Sequence, residues 1–298
     1  MHNKHMKRKL QFAFRPSARF WRPVAALALL MAQPLAAQDA SAPPSLAPAG
    51  RLAALDATTL SPAARTAVAA SLARWQALGP LPEGRWLLVN IPAYQIRLYE
   101  GAAEQARWRA IIGKPKTPTP TFRGTANSVI LNPWWEVPAS IVAESVGRLV
   151  SRNPARARAQ GYVREGQRYR QAPGPDNQLG RMKLDFRNAY SVGIHDTPSR
   201  QLFQREKRAL SHGCIRVDDA LGFAATLLGP PVSRDSLATF IDTSRETRTL
   251  PLAAPIPVIV GYFTAEVTAE GALVLHDDLY RQDARALAAG AADGECGP

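Results

Sequence analysis

Residues 190–219 constrain the fold of this chain more than any other stretch. The run Tyr190-Ser-Val-Gly-Ile-His195 is apolar and strand-like and ends in a histidine. After a basic loop, Ser211-His212-Gly213-Cys214-Ile215-Arg216-Val217 sets a cysteine between His-Gly and a second apolar alternation. Period-two alternation puts Cys214 and Arg216 on one side of a strand. A nucleophilic thiol needs a base, amide donors for an oxyanion, and open access. The stretch offers each: His195 and His212 are candidate bases, and the amides of Gly213 and Cys214 can converge on a developing oxyanion. Arg216 can raise thiolate character or hold a substrate carboxylate.

Other readings of the same residues exist. A single cysteine is often a small buried hydrophobe, although two flanking histidines argue against that here. His195, His212 and Cys214 are acceptable zinc ligands, yet no C-x-x-C or H-x-x-x-H pair accompanies them, so no metal and no cofactor is expected. Arg216 also has Asp218 and Asp219 within reach as ion-pair partners.

The order His195, eighteen intervening residues to Cys214, with the cysteine set in Ser211-His-Gly-Cys-Ile-Arg-Val217, resembles the signature of the L,D-transpeptidases, the YkuD-type cell-wall enzymes. The wider resemblance runs from about Arg85 to Leu228. It takes in Val89-Asn-Ile-Pro-Ala-Tyr94, Gly113-Lys-Pro-Lys-Thr-Pro-Thr-Pro120, Asn132-Pro-Trp-Trp-Glu-Val-Pro138, Pro173-Gly-Pro-Asp-Asn-Gln-Leu-Gly-Arg181 and His195-Asp-Thr-Pro198. These resemble the subgroup with a capping insertion over the active site.

The resemblance implies an α+β fold, with a mostly antiparallel β catalytic core, a helical capping insertion and flanking helices. It implies that Cys214 attacks the third residue of a peptidoglycan tetrapeptide stem, expels D-alanine and passes the thioester to a second stem, giving 3→3 crosslinks. His195 matches the general acid/base, with the Asp196 carbonyl orienting its ring. His212 matches the second histidine, and spacing alone leaves it open as the base. Ser211 supports the turn, and Tyr190 and Trp135 are candidates to line the pocket. Carbapenems are expected to acylate Cys214. Relatives often carry an aromatic residue two before the catalytic histidine; this chain has Gly193, so no side-chain contact carries over from that position. Resolution by water or by a lipoprotein lysine gives alternatives within the family. A sortase shares the order His, Cys, Arg but has a much longer His to Cys separation and no His-Gly before its cysteine.

Residues 1–37 hold seven Lys and Arg and no acid, so without them the formal charge falls from +13 to +6. The order of basic segment, apolar run Val24–Ala32 and small residues to Ala37 reads as a signal peptide, with an uncleaved inner-membrane anchor as the alternative. The mature protein is then expected in the periplasm without a membrane span. Residues 38–60 read as a flexible linker. Ser61-Pro62 opens a packing helix within 61–82, with Val68, Leu72, Trp75 and Leu78 at helical spacing. The catalytic domain is expected over 83–245, with the cap at about 135–185, late strands over 246–283, including a hairpin around Glu270-Gly271, and a tail from 284 to 298. Nine Lys and Arg between Arg148 and Lys183 face two acids. On a cap they would attract carboxylate-rich stem peptides. Nucleic acid is not expected, because only Tyr162 and Tyr169 are interleaved as stacking platforms. Pairing Cys214 with Cys296 would silence the nucleophile, so a reduced Cys214 is expected.

Overall fold

The structure is a computed structural model and describes residues 48–294. The signal peptide, most of the first half of the linker and Cys296 fall outside these residues. The described chain opens with α1 (Pro48–Ala53) and α2 (Pro62–Leu78). Ser61 caps α2 by accepting from the Ala64 amide at 3.2 Å, and Gly79, at φ +68°, ends it. A serine cap before proline at the first helical position satisfies an amide that would otherwise lack a partner.

An antiparallel meander follows as β1 (Arg85–Asn90), β2 (Gln95–Glu100) and β3 (Ala103–Gly113), and then β4 (Phe122–Leu131). An insertion then carries β5 (Trp135–Glu136), α3 (Ala139–Ile141), a π turn (Val142–Val146), α4 (Gly147–Arg152), α5 (Pro154–Ala159), β6 (Tyr162–Glu165) and β7 (Arg168–Gln171). The chain returns through β8 (Met182–Arg187), β9 (Ile194–His195), β10 (Ala209–Ser211) and β11 (Ile215–Val217), then α6 (Ala220–Leu228) and α7 (Arg234–Thr243). It finishes with β12 (Arg248–Gly261), β13 (Ala265–Val267), β14 (Leu273–Leu275) and α8 (Asp283–Gly294).

Nine strands form one sheet in the order β10-β3-β11-β9-β8-β4-β12-β1-β2, and β2 also pairs with β3, which closes the sheet into a barrel with β10 outside the ring. Most pairings are antiparallel; β1 with β12, β11 with β9 and β10 with β3 are parallel. Closure leaves the ring without open edges. Along β1 the period of two divides the side chains between two cores. Leu87 and Val89 join one cluster with Ile96, Ile194, Ile215 and the apolar face of α6. Trp86 and Leu88 face the other, where Trp75 of α2 stacks on Phe263 at 4.0 Å. Each large side chain buried under α2 is worth about 1.5–3 kcal/mol relative to exposure.

Four expectations need correcting. The stretch taken for a flexible linker contains α1, whose Leu52 is fully buried in the second core. The presumed tail from 284 is helical to Gly294 and packs along α2. The late strands do not form one hairpin: only Ala265–Val267 pairs with β14 around Glu270-Gly271, while β12 runs from Arg248 to Gly261 as a barrel strand. The insertion is not purely helical, because β5, β7 and β6 form their own three-stranded sheet over a small core of Val146, Ala157 and Tyr162.

Candidate active site

The last residues of β9 and the first of β11 lie side by side in parallel register, Ile194 against Ile215 and His195 against Arg216. Register partners in a sheet share a face. Cys214 therefore sits two residues upstream of Arg216, beside Gly193 and on the His195 side. The contact is direct: the Gly193 amide donates to the Cys214 sulfur at 3.4 Å. Cys214 is a half-buried free thiol. No hydrogen bond joins its sulfur to either imidazole among the described residues, a looseness that unliganded nucleophile–base pairs often show.

His195 is 5% exposed and its Nδ1 lies 2.5 Å from the Asp196 carbonyl. A carbonyl accepts only, so Nδ1 carries the proton and Nε2 is left with a lone pair. Burial first, and the Arg216 guanidinium second, bring its pKa from 6.5 to about 4. The ring is thus neutral at neutral pH and fit to take a proton. Arg216 is itself drawn below its ordinary value by burial, with Cys214 pulling it the other way. Asp218 and Asp219, the expected alternative partners of Arg216, instead hold Arg109 and Arg234. The buried Nε of Arg216 has no hydrogen-bond partner.

The turn before the nucleophile is tightly braced. Ser211, 1% exposed, donates its hydroxyl to the Cys214 carbonyl at 2.5 Å and accepts the Gly213 amide at 3.1 Å. Gly213 is therefore not a free oxyanion donor here, since its N–H already has a partner. Its role is conformational: φ is +114°, a value open to glycine and strained for other residues. The Cys214 amide has no partner among the described residues and remains the available donor. Asp219, at φ +41°, caps α6 behind β11 and anchors the strand.

The other expected site residues have the following contacts. The Asp196 carboxylate is 2% exposed, and its Oδ2 accepts from the Arg181 backbone at 2.9 Å, Arg181 Nε at 3.0 Å and Arg200 at 3.3 Å. It clamps the end of the insertion to the catalytic strand. Trp135, half-buried, packs against the core of the insertion, 6.5 Å from the Tyr162 ring. Tyr190 is 56% exposed and tilts against Phe122 at 5.2 Å. His212 is exposed, and its Nε2 meets Glu144 Oε2 at 3.0 Å. Glu144, on the π turn of the insertion, brings the cap into direct contact with the nucleophile turn. The Pro173-Gly-Pro175 return is tied down, because the buried Asn177 amide donates to the Pro133, Gln171 and Ala172 carbonyls.

An open cleft of about 740 Å³ lies away from Cys214, lined by Gln95, Arg97, Glu104, Glu266 and His276. Its charges pair with one another: Arg97 is bidentate to Glu266 at 2.8 and 2.7 Å, and His276 meets Glu266 at 2.9 Å. His276, Asp277 and Asp278 diverge to Glu266, Lys207 and the Tyr262 hydroxyl.

Residues 84–260 match the YkuD family, described as the L,D-transpeptidase catalytic domain. A Haemophilus influenzae protein provisionally named an L,D-transpeptidase is 28% identical over 218 residues, which is 66% of this chain and 44% of that protein. The chain thus spans less than half the length of this curated relative. Among solved structures, an L,D-transpeptidase from Mycobacterium smegmatis is 18% identical with a TM-score of 0.32, covering 59% of this chain and 58% of that one. The catalytic domain of the E. faecium L,D-transpeptidase acylated by ertapenem is 16% identical with a TM-score of 0.31, covering 61% of this chain and all of that one.

Proposed function

The chain belongs to the YkuD family of L,D-transpeptidase catalytic domains, and from that premise we propose that Cys214 carries an acyl group between peptidoglycan stems in the periplasm, after export directed by residues 1–37. The thiol proton passes to His195 Nε2 as sulfur adds to the carbonyl of the third stem residue. The oxyanion faces the Cys214 amide. As the tetrahedral intermediate collapses, the same imidazolium protonates the departing amine, D-alanine leaves and a thioester remains. The amine of a second stem then gives its proton to His195 and displaces the sulfur, forming a 3→3 crosslink. Arg216, with a buried guanidinium nitrogen lacking a partner, is the donor suited to a stem carboxylate. Carbapenems, one of which acylates the E. faecium relative, are proposed to acylate the same sulfur.

The observation that carries this reading is the tautomer of His195, fixed by the Asp196 carbonyl with Nε2 free on the face that holds Cys214. It favours His195 over His212 as the base, since His212 Nε2 is engaged by Glu144. Incubation of the purified protein with a disaccharide tetrapeptide tests the proposal by mass spectrometry. A crosslinked dimer with release of D-alanine is expected. Tripeptide alone would make the protein a hydrolase, and unchanged substrate would remove the assignment.

A further inference from the structure

The nucleophile turn is held from outside the matched domain. The loop from Gly113 to Thr119 folds back so closely that a Cβ on Gly113 would collide with the Thr117 carbonyl. Thr119, 1% exposed, donates its hydroxyl to the Gly213 carbonyl at 2.8 Å and accepts the Gly113 amide at 2.9 Å. Thr119 is in turn held by Tyr280, whose hydroxyl accepts the Thr119 amide at 3.2 Å and donates to the Gly113 carbonyl at 2.6 Å. Burial raises the Tyr280 phenol, so it stays protonated and able to donate. Tyr280 lies beyond residue 260, where the family match ends.

The Gly213 carbonyl and the Cys214 amide belong to one planar peptide unit and point in opposite directions. Whatever fixes the carbonyl oxygen therefore aims the amide. We infer that Tyr280 is a positioning residue for the acyl-transfer site: through Thr119 and the Gly213 carbonyl it directs the Cys214 N–H toward the oxyanion. Tyr280 is itself rigid. Its amide donates to the Tyr262 hydroxyl at 2.7 Å, that hydroxyl donates to Asp278 at 2.8 Å, and the two rings stack at 5.6 Å. Arg74 of α2 lies over the Tyr262 ring at 4.9 Å and pairs with Asp283 at 2.6 Å. The elements flanking the catalytic domain thus converge on one peptide plane.

The inference rests on Cys214 being the acylated nucleophile, and two probes separate the two claims. Acylation by a carbapenem passes through an oxyanion, whereas alkylation by iodoacetamide does not. In the full chain, Tyr280→Phe and Thr119→Val are expected to slow carbapenem acylation roughly tenfold and to leave the rate of Cys214 alkylation within about twofold of wild type. Thr119→Ser, which keeps the hydroxyl, restores acylation. Equal slowing with both probes, no slowing with either, or failure of the serine to rescue would overturn the positioning role. A wild-type protein that is alkylated but never acylated would instead remove the nucleophile reading, and this inference with it. Should Tyr280→Phe not fold, the valine and serine variants at 119 carry the same comparison.

Discussion

Arg97 and Arg216 are both largely buried beside a histidine, and their surroundings are completed in opposite ways. Arg97 has Glu266 and Gln95 on its guanidinium, and Glu266 takes His276 as well. That cluster is closed on itself; burial works against the Glu266 charge, but His276 and Arg97 outweigh it and hold the carboxyl at about 2. Arg216 faces His195 and Cys214, none of which neutralises it, and its Nε is left without a partner. A saturated network stabilises a fold, while a buried donor left open costs stability and is kept where something else completes it. The cleft of about 740 Å³ lies beside Arg97, whereas the proposed chemistry belongs to the incomplete site.

The difference can be broken from either side. His195→Ala is expected to lower carbapenem acylation by roughly 10²–10⁴-fold while the protein remains folded, as measured by stopped-flow and circular dichroism. Glu266→Leu strands a buried guanidinium and should cost about 3–5 kcal/mol in urea unfolding. The folded fraction should still be acylated at the wild-type rate.

pH sharpens the contrast. The folded pKa of His195 lies below its unfolded value, so the unfolded chain binds the extra proton first. Stability is unaffected above pH 6.5 and falls as pH drops toward 4, by roughly 1.4 kcal/mol per pH unit. Urea midpoints of wild type and His195→Gln should converge across that window; a constant gap between them would contradict the burial argument. Arg216→Met relieves an unpartnered donor and should change stability by no more than about 1 kcal/mol, yet it should raise the KM for stem peptide. The smallest effect is expected for Glu144→Gln. Its pair with His212 is exposed, and such pairs contribute about 0–1 kcal/mol, so the melting temperature should barely move.

The parts of the molecule legible in the sequence are those set by neighbours along the chain. The cap and stripe of α2, the strands from Trp86, and the His195 and Cys214 alternations are all local patterns. Helix α1 was not legible, because Pro48-Ala-Gly-Arg51 has the composition of a linker and tertiary contacts, the burial of Pro48 and Leu52 and the Arg51 bond to the Val267 carbonyl, fix it. Prolines 251, 255 and 257 obscured β12. They are tolerated because pairing with β1 begins only at Val258 and the register to β4 shifts between Pro251 and Ile256.

The packing of Trp135 on the insertion core is not legible in its motif, because Val146, Ala157 and Tyr162 lie elsewhere in the chain. Glu144 and Tyr280 carry no local signal, and the motifs holding Thr119 and Gly193 do not show what these residues contact. Their contacts join residues far apart in sequence, as Thr119 to Tyr280 shows, so only the closed barrel brings them together.

The central claim is that Cys214 is an acylated nucleophile served by His195. The most direct measurement is the intact mass of the protein after incubation with a carbapenem, with peptide mapping of the adduct. A single adduct on Cys214, absent in Cys214→Ala, strongly slowed in His195→Ala and retained in His212→Ala, is the predicted result. An adduct elsewhere, or one that forms equally fast without the His195 imidazole, would contradict it.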